Sequence, residues 1–122
     1  MTKILTIGLH PGAIDLSDHP GLDEVTLAAR IERGEAALRA AGLDTVACLV
    51  GADPGAAEKA VRERLSAEGP FGLAMIGAGI RMVPEHTLLF ERLINVLAEH
   101  PGIRICFNTS PETTIDAIRR WT

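Results

Sequence analysis

The sequence predicts an α/β protein with a four-stranded parallel sheet in the order 2-1-3-4 and helices on both faces. Strand-like and helix-like segments alternate four times along the 122 residues, which is typical of a parallel sheet covered by helices. The strand-like segments are apolar along their whole length, which indicates burial on both faces. Right-handed crossovers with one reversal of winding then favour this order in a three-layer arrangement.

The predicted strands are short apolar segments bounded by Gly, Pro and Asp residues. The central one begins the stretch Gly72–Arg81, which we interpret as a buried strand running into a tight, glycine-bearing turn. The other three are residues 3–9, 44–50 and 103–108.

The helices are predicted from capping residues and apolar stripes. Asp23 is the expected N-cap of the first helix, and Gly42 follows its end. Asp53 and Pro54 begin a second helix that reaches about Ala67. Pro84 opens a third, ended by residues 100–102, and a short terminal helix follows Pro111, with apolar contacts expected from Ile115, Ala117, Ile118 and Trp121.

The first helix has a defined inward stripe in this interpretation. The residues expected to face the core are Leu27, Ile31, Leu38 and Ala41. Those expected to face solvent are Arg30, Glu32, Arg33 and Glu35. Gly34 interrupts the stripe, and we expect it to let the helix approach the sheet closely.

Composition excludes several classes of function. A net charge of −4 and 3% aromatic residues favour neither phosphate-backbone contacts nor base stacking, so we expect no nucleic-acid partner. No apolar run approaches the roughly 20 residues of a membrane helix. We expect one cytoplasmic domain over residues 1–122, with Cys48 and Cys106 as buried, reduced, structural thiols.

A ligand site is expected where the first and third strands end side by side. In such sheets ligands bind beyond the carboxyl ends of the strands at the point where the winding reverses. Glycines there allow close backbone approach, while the Arg81 guanidinium and the N-terminal N–H groups of the last helix, which Asn108, Thr109 and Ser110 precede, suit an anion. The predicted ligand-binding residues are His10, Gly12, Gly77, Gly79, Arg81, Asn108, Thr109 and Ser110.

Each of these residues also has a structural alternative. Thr109 and Ser110 suit capping of the helix that follows Pro111. Arg81 has Glu85 and Glu91 as possible ion-pair partners. His10 is placed for a general base, but a hydrogen bond within its own loop is the commoner role.

Metal and cofactor chemistry are not predicted. His10, Asp15, Asp18 and His19 are ligand-type residues, with Glu85 and His86 as possible neighbours, but their spacing fits no compact metal motif. Gly77–Ala78–Gly79 follows the third strand, not the first, and Met82 stands where a dinucleotide fingerprint has its third glycine. No catalytic residue is assigned, and whether the protein is an enzyme stays open.

The alternative function is assembly without small-molecule chemistry. The third helix is apolar around more of its circumference than one buried face needs. Leu88 and Phe90 are the predicted contacts of a homodimer. Binding of a small anionic metabolite at the carboxyl edge remains the leading expectation.

Two resemblances follow from these residues. The architecture is of flavodoxin/Rossmann-like type and resembles response-regulator receiver domains and flavodoxins. After the first strand, however, His10–Pro11–Gly12 replaces the acidic residues of the receivers and the phosphate-binding loop of the flavodoxins. The stretches KILTIGLHPG, IGAGIRMVPEHTLLFERLIN and ICFNTSPETTIDAIRRW resemble an uncharacterised family of small bacterial single-domain α/β proteins. That resemblance implies one cytoplasmic α/β domain and brings no activity, cofactor or site residue.

Overall fold

The computed structural model describes residues 2–17 and 21–122, and its centre is a four-stranded parallel sheet. The strands lie in the order β2-β1-β3-β4, as predicted. Because β1 and β3 are hydrogen-bonded neighbours, their carboxyl ends meet at one edge. The strands are β1 (Lys3–Leu9), β2 (Asp44–Val50), β3 (Leu73–Ile76) and β4 (Arg104–Phe107).

Helices connect the strands and begin at the predicted caps. The side chain of Asp23 accepts a hydrogen bond from the Thr26 N–H at 2.7 Å, and that of Asp53 accepts one from the Ala56 N–H at 3.0 Å. Short 3-10 turns lie at Pro11–Ala13, Pro84–His86 and Pro111–Thr113. The α-helices are α1 (Glu24–Ala40), α2 (Pro54–Glu68), α3 (Ala78–Arg81), α4 (Thr87–Ala98) and α5 (Thr114–Arg119).

The sheet divides the core into two clusters, as a three-layer fold requires. Side chains alternate between the faces of a strand, so β1 sends Leu5, Ile7 and Leu9 into the cluster beneath α2 and α4. Its Ile4 joins Leu38 in the smaller cluster beneath α1 and α5. Burial on both faces explains why the strands are apolar throughout, and the fold is of flavodoxin/Rossmann-like type.

The central stretch differs from its prediction after Ile76. The segment expected to be a tight turn forms one turn of α-helix, α3, with Gly77 at its N-cap. The N–H of Gly77 donates to the Ile7 carbonyl at 2.8 Å. The Asn108 side chain accepts a hydrogen bond from the Ala78 N–H at 2.8 Å. With these donors satisfied from outside, the chain continues into a helical turn.

Two predicted core residues are exposed. Ala41 is the C-cap of α1 and lies beyond its last turn, so the inward stripe ends at Leu38. Trp121 follows α5, and its side chain is 50% exposed. The Arg104 guanidinium carbon lies 5.8 Å from the centre of the Trp121 ring, so the indole packs on a surface cation, not in the core.

The helix predicted as the third, which begins with the turn at Pro84 and continues as α4, has most of its apolar surface covered by other parts of the chain. Its buried residues are Leu89, Leu93, Val96 and Leu97, and α2 packs alongside it. Phe90 is half-buried, with its ring 5.8 Å from that of Phe107 in an edge-to-face contact. Leu88 is 55% exposed. Among the described residues, no helix combines the length and apolar character needed to cross a membrane.

Candidate functional site

A cavity of about 80 Å³ lies between α1 and the carboxyl ends of β1 and β3. Its volume is enough for a few water molecules or a small organic group. Glycines explain why the space is open, since four lining positions carry no side chain: Gly8, Gly34, Gly77 and Gly79. Apolar side chains, among them Ile31 and Met75, form most of the remaining wall. The cavity therefore occupies the switch point between β1 and β3 where a ligand site was expected.

One hydrogen bond crosses this cavity wall from the sheet to the helix. Thr6 Oγ1 donates to Glu35 Oε1 at 3.0 Å. Thr6 is buried and Glu35 half-buried, and burial raises the pKa of the Glu35 carboxyl despite the opposing effect of this hydrogen bond. No described residue donates a hydrogen bond to the second carboxyl oxygen, Oε2. The site thus contains a partly desolvated carboxyl with unused acceptor capacity.

The prediction that Glu35 faces solvent is wrong. Leu27, Ile31 and Glu35 are spaced four residues apart, which places all three on the same face of α1. Thr6 is likewise the polar residue within the apolar run that follows Lys3 in β1. A carboxyl on the inward stripe and a hydroxyl in a buried strand are the two sequence signals that indicate this contact.

Gly34 makes a close approach, although not to the sheet as expected. A Cβ built on Gly34 would lie 2.9 Å from the backbone oxygen of Pro111. The contact is therefore with the turn that precedes α5. The nearby ion pair between Arg30 and Glu112, 2.6 Å long, also joins α1 to this turn. Together these contacts hold α1 against the turn that precedes α5.

Asn108 has a structural role in the cavity wall. Its side chain is 6% exposed. Oδ1 accepts from the Ala78 N–H at 2.8 Å, and Nδ2 donates to Thr114 Oγ1 at 2.9 Å. The Thr114 hydroxyl in turn donates to the Pro111 carbonyl at 2.9 Å. Asn108 therefore ties the start of α3 to the start of α5, and its polar atoms already have partners.

Ser110 takes the capping role that was the structural alternative, and Thr109 lies just before this cap. Their N–H groups donate to Thr113 Oγ1 at 3.0 and 3.1 Å. Ser110 and Thr113 form a capping box around the turn at Pro111–Thr113. The backbone N–H groups of Thr109 and Ser110 are therefore occupied by a hydroxyl of this chain.

Arg81 contacts the end of β4 and not the glutamates considered as partners. Its Nη2 donates to the Asn108 carbonyl at 3.0 Å, and its guanidinium carbon lies 5.3 Å from the centre of the Phe107 ring. Its Nε is buried, with no hydrogen-bond partner among the described residues. The side chain thus covers the Phe107 ring and caps the carboxyl end of β4.

His10 holds its own loop together. Its Nδ1 accepts a hydrogen bond from the Gly12 N–H at 3.1 Å, and its backbone N–H donates to the Val50 carbonyl at 2.7 Å. An acceptor at Nδ1 places the proton of a neutral imidazole on Nε2. Both His10 and Gly12 are exposed. The imidazole therefore caps the 3-10 turn at Pro11–Ala13.

The structure brings together only some of the predicted site residues. Gly77, Gly79 and Asn108 line the cavity. The predicted residues that are absent from its described lining are His10, Gly12, Arg81, Thr109 and Ser110.

The metal alternative falls partly outside the described residues, because Asp18 and His19 lie there. Asp15 Oδ1 accepts a hydrogen bond from the Ser17 N–H at 2.9 Å. Within residues 2–17 and 21–122, no group of three or more His, Cys, Asp or Glu side chains is placed to hold a metal ion.

Comparison with known proteins found no matching family model, no matching curated protein and no matching solved structure. The resemblance to small bacterial α/β proteins therefore stays a prediction. Fold and cavity together define a flavodoxin/Rossmann-like domain with a small, mostly apolar cavity at the carboxyl edge of its sheet.

Proposed function

We propose that this protein binds a small molecule in the cavity between α1 and the sheet. The observation that carries the proposal is the half-buried Glu35 carboxyl, which lines the cavity and has one oxygen that no residue in the described part of the chain donates to. A mostly apolar cavity with a few polar groups is the usual form of a ligand site. Its place at the switch point between β1 and β3 is where such folds bind ligands.

The anionic ligand expected from the sequence has less support than a neutral or cationic one. The backbone N–H groups of Thr109 and Ser110, two of the predicted ligand-binding residues, are occupied by Thr113 Oγ1. Arg81 is stacked on Phe107 and bonded to the Asn108 carbonyl. A carboxylate at Glu35 would also repel an anion bound beside it. Anion binding at the outer loops stays a prediction.

Binding without chemistry is favoured over catalysis. The cavity holds one carboxyl and two threonine hydroxyls, and Thr6 and Thr114 both donate their protons within the chain. Both cysteines are buried, and burial raises the pKa of each thiol. No activated nucleophile or second carboxyl is thus present among the described lining residues.

Nuclear magnetic resonance with a panel of small compounds tests the proposal. Compounds of up to about ten non-hydrogen atoms, covering amines, alcohols, amides and acids, are titrated while amide signals are followed. We expect saturable shifts at Gly8, Gly77 and Gly79, which line the cavity, and none at Gly51 or Gly102. Absence of saturable shifts for every compound, or shifts confined to distant sites, would contradict it.

A Gly8→Ala variant provides the matched control. A Cβ at Gly8 meets only the flexible end of Leu49, at 3.4 Å, so the fold should tolerate it while the cavity narrows. Gly51→Ala adds the same methyl where nothing lies within 4 Å. We expect Gly8→Ala to weaken binding several-fold and Gly51→Ala to leave it unchanged. Equal affinity in both variants would show that the ligand binds outside this cavity.

A homodimer is the second candidate, supported by exposed apolar surface on α4. Leu88 is 55% exposed, and β2 and β4 are edge strands. Phe90 packs against Phe107, so Leu88→Asp is the variant that tests the contact without disturbing the core. Light scattering should show a dimer for the parent and a monomer for the variant. A monomeric parent at micromolar concentration would exclude this role.

A cytoplasmic location is part of the same proposal. Cys48 and Cys106 are both buried and unpaired. Free thiols of this kind are typical of a reducing compartment.

A further inference from the structure

We propose that the ligand of this cavity carries a protonated amine that pairs with Glu35, an inference that rests on the proposed binding function. The ligand class is a small primary or secondary ammonium ion with a short apolar body. Glu35 is the residue that determines this specificity, and Thr6 positions it.

The hydrogen bonds already formed in the cavity wall indicate that the ligand donates a hydrogen bond to Glu35. Asn108 and Thr114 satisfy each other and the neighbouring backbone. The Thr6 proton is used on Glu35 Oε1. Among the described side chains of the lining, the charged group is the Glu35 carboxylate, whose Oε2 has no donor among the described residues. A ligand group that meets this oxygen must therefore bring a donor, not an acceptor.

The charge of Glu35 indicates that the donor group of the ligand is a cation. No described basic side chain forms an ion pair with Glu35. Arg39, one turn further along α1, contributes only at longer range and donates instead to Glu32 at 2.8 Å. A carboxylate in a partly desolvated site is costly until it is paired. Charge-assisted hydrogen bonds from an ammonium group are about twice as strong as neutral ones.

The size and polarity of the cavity define the rest of the ligand. A space of about 80 Å³ accepts a body of a few carbon atoms. Ile31 and Met75 present apolar surface to that body. Branched or short-chain amines fit this description.

Isobutylamine, isobutanol and isobutyrate are matched probes for the test. The three share a branched body and differ in a cationic, a neutral or an anionic head. Dissociation constants are measured at pH 7.5 from amide shifts of the parent protein and of Glu35→Gln. Gln keeps an oxygen that accepts from Thr6 but removes the charge. We expect isobutylamine to bind at least about tenfold tighter than isobutanol, and Glu35→Gln to remove that difference.

The outcomes separate this inference from the proposed function. If isobutanol or isobutyrate binds as tightly as the amine, or if Glu35→Gln leaves amine affinity unchanged, the amine assignment is overturned while the cavity remains a binding site. If neither these probes nor any compound of the wider panel binds, the proposed function fails and the amine assignment fails with it.

Discussion

Thr6 Oγ1 on β1 donates a 3.0 Å hydrogen bond to Glu35 Oε1 on α1. This contact joins the sheet to the helix across the cavity wall and holds a carboxyl where an apolar side chain would ordinarily pack. Burial raises the pKa of that carboxyl. A charged carboxyl that lowers the stability of the fold at neutral pH is typical of a residue with a role in binding.

The pH dependence of stability should change in Glu35→Gln. Because burial raises the folded-state pKa of Glu35 above the ordinary value of a glutamate carboxyl, the folded protein binds this proton more tightly than the unfolded chain. The stabilising contribution is complete below that value and is lost as pH rises through the folded-state pKa. We expect the variant to be the more stable protein at pH 7.5.

Chemical denaturation at pH 3.5 and pH 7.5 measures this difference. Near pH 3.5 the two proteins should differ little, because Glu35 is then largely protonated and Gln preserves the acceptor for Thr6. A parent protein that is more stable than Glu35→Gln at pH 7.5 would show that the carboxyl is not desolvated as described.

Gly34→Ala should destabilise the protein although alanine favours helices. The added Cβ would lie 2.9 Å from the Pro111 backbone oxygen, and such overpacking costs about 1–3 kcal/mol. The higher helix propensity of alanine offsets about 1 kcal/mol of this cost. The free energy of unfolding, measured by thermal or denaturant unfolding, should therefore fall by about 1 kcal/mol.

The control for this variant is Gly55→Ala in α2. A Cβ there meets Arg92 Nη1 at 3.6 Å, an ordinary contact. Gly55→Ala should therefore be neutral or stabilising. If Gly34→Ala stabilised the protein as much, the close approach of α1 to the turn at Pro111 would be wrong.

Asn108→Ala should destabilise by about 1–3 kcal/mol, the usual cost of leaving buried polar groups unpaired. The Ala78 N–H and the Thr114 hydroxyl both lose a partner. Hydrogen exchange at Ala78 should accelerate relative to the strands. Asn95→Ala removes an exposed hydrogen bond to the Glu91 carbonyl and should change stability by less than about 0.5 kcal/mol. Equal effects of the two variants would contradict a structural role for Asn108.

The cysteines should be unreactive in the native protein. Burial raises the pKa of Cys106 to about 11 and raises that of Cys48 as well. At pH 8 only about one Cys106 thiol in a thousand is then ionised, and the thiolate is the reactive form. A disulfide reagent should label neither thiol within minutes, and both in denaturant. Rapid labelling of the native protein would show that the core around one of them opens.

The sheet and helices were predictable because short stretches of sequence indicate each element, and general rules of chain topology restrict how the strands are ordered. Apolar runs such as residues 3–9 indicate strands, capping residues such as Asp23 and Asp53 indicate helix starts, and the handedness rule then restricts the strand order. The carboxyl edge was therefore located correctly, and Gly77, Gly79 and Asn108 do lie at the cavity.

The chemistry of the cavity was not predicted, because it depends on partners distant in sequence. Asn108 is identified as a structural residue only once Ala78 and Thr114 are placed beside it. Arg81 was expected to pair with a neighbouring glutamate or an anion, but the Phe107 ring and a backbone carbonyl surround it. Glu35 was assigned to solvent by residue type, although its spacing from Ile31 places it inward.

The most direct test of a ligand site between α1 and the sheet is an isotope-filtered nuclear Overhauser measurement with the tightest-binding compound of the panel. The account predicts cross-peaks from the compound to the methyl groups of Ile31 and Met75, which line the cavity. Cross-peaks only to exposed side chains such as Leu88 and Met82, or no bound compound at all, would contradict it.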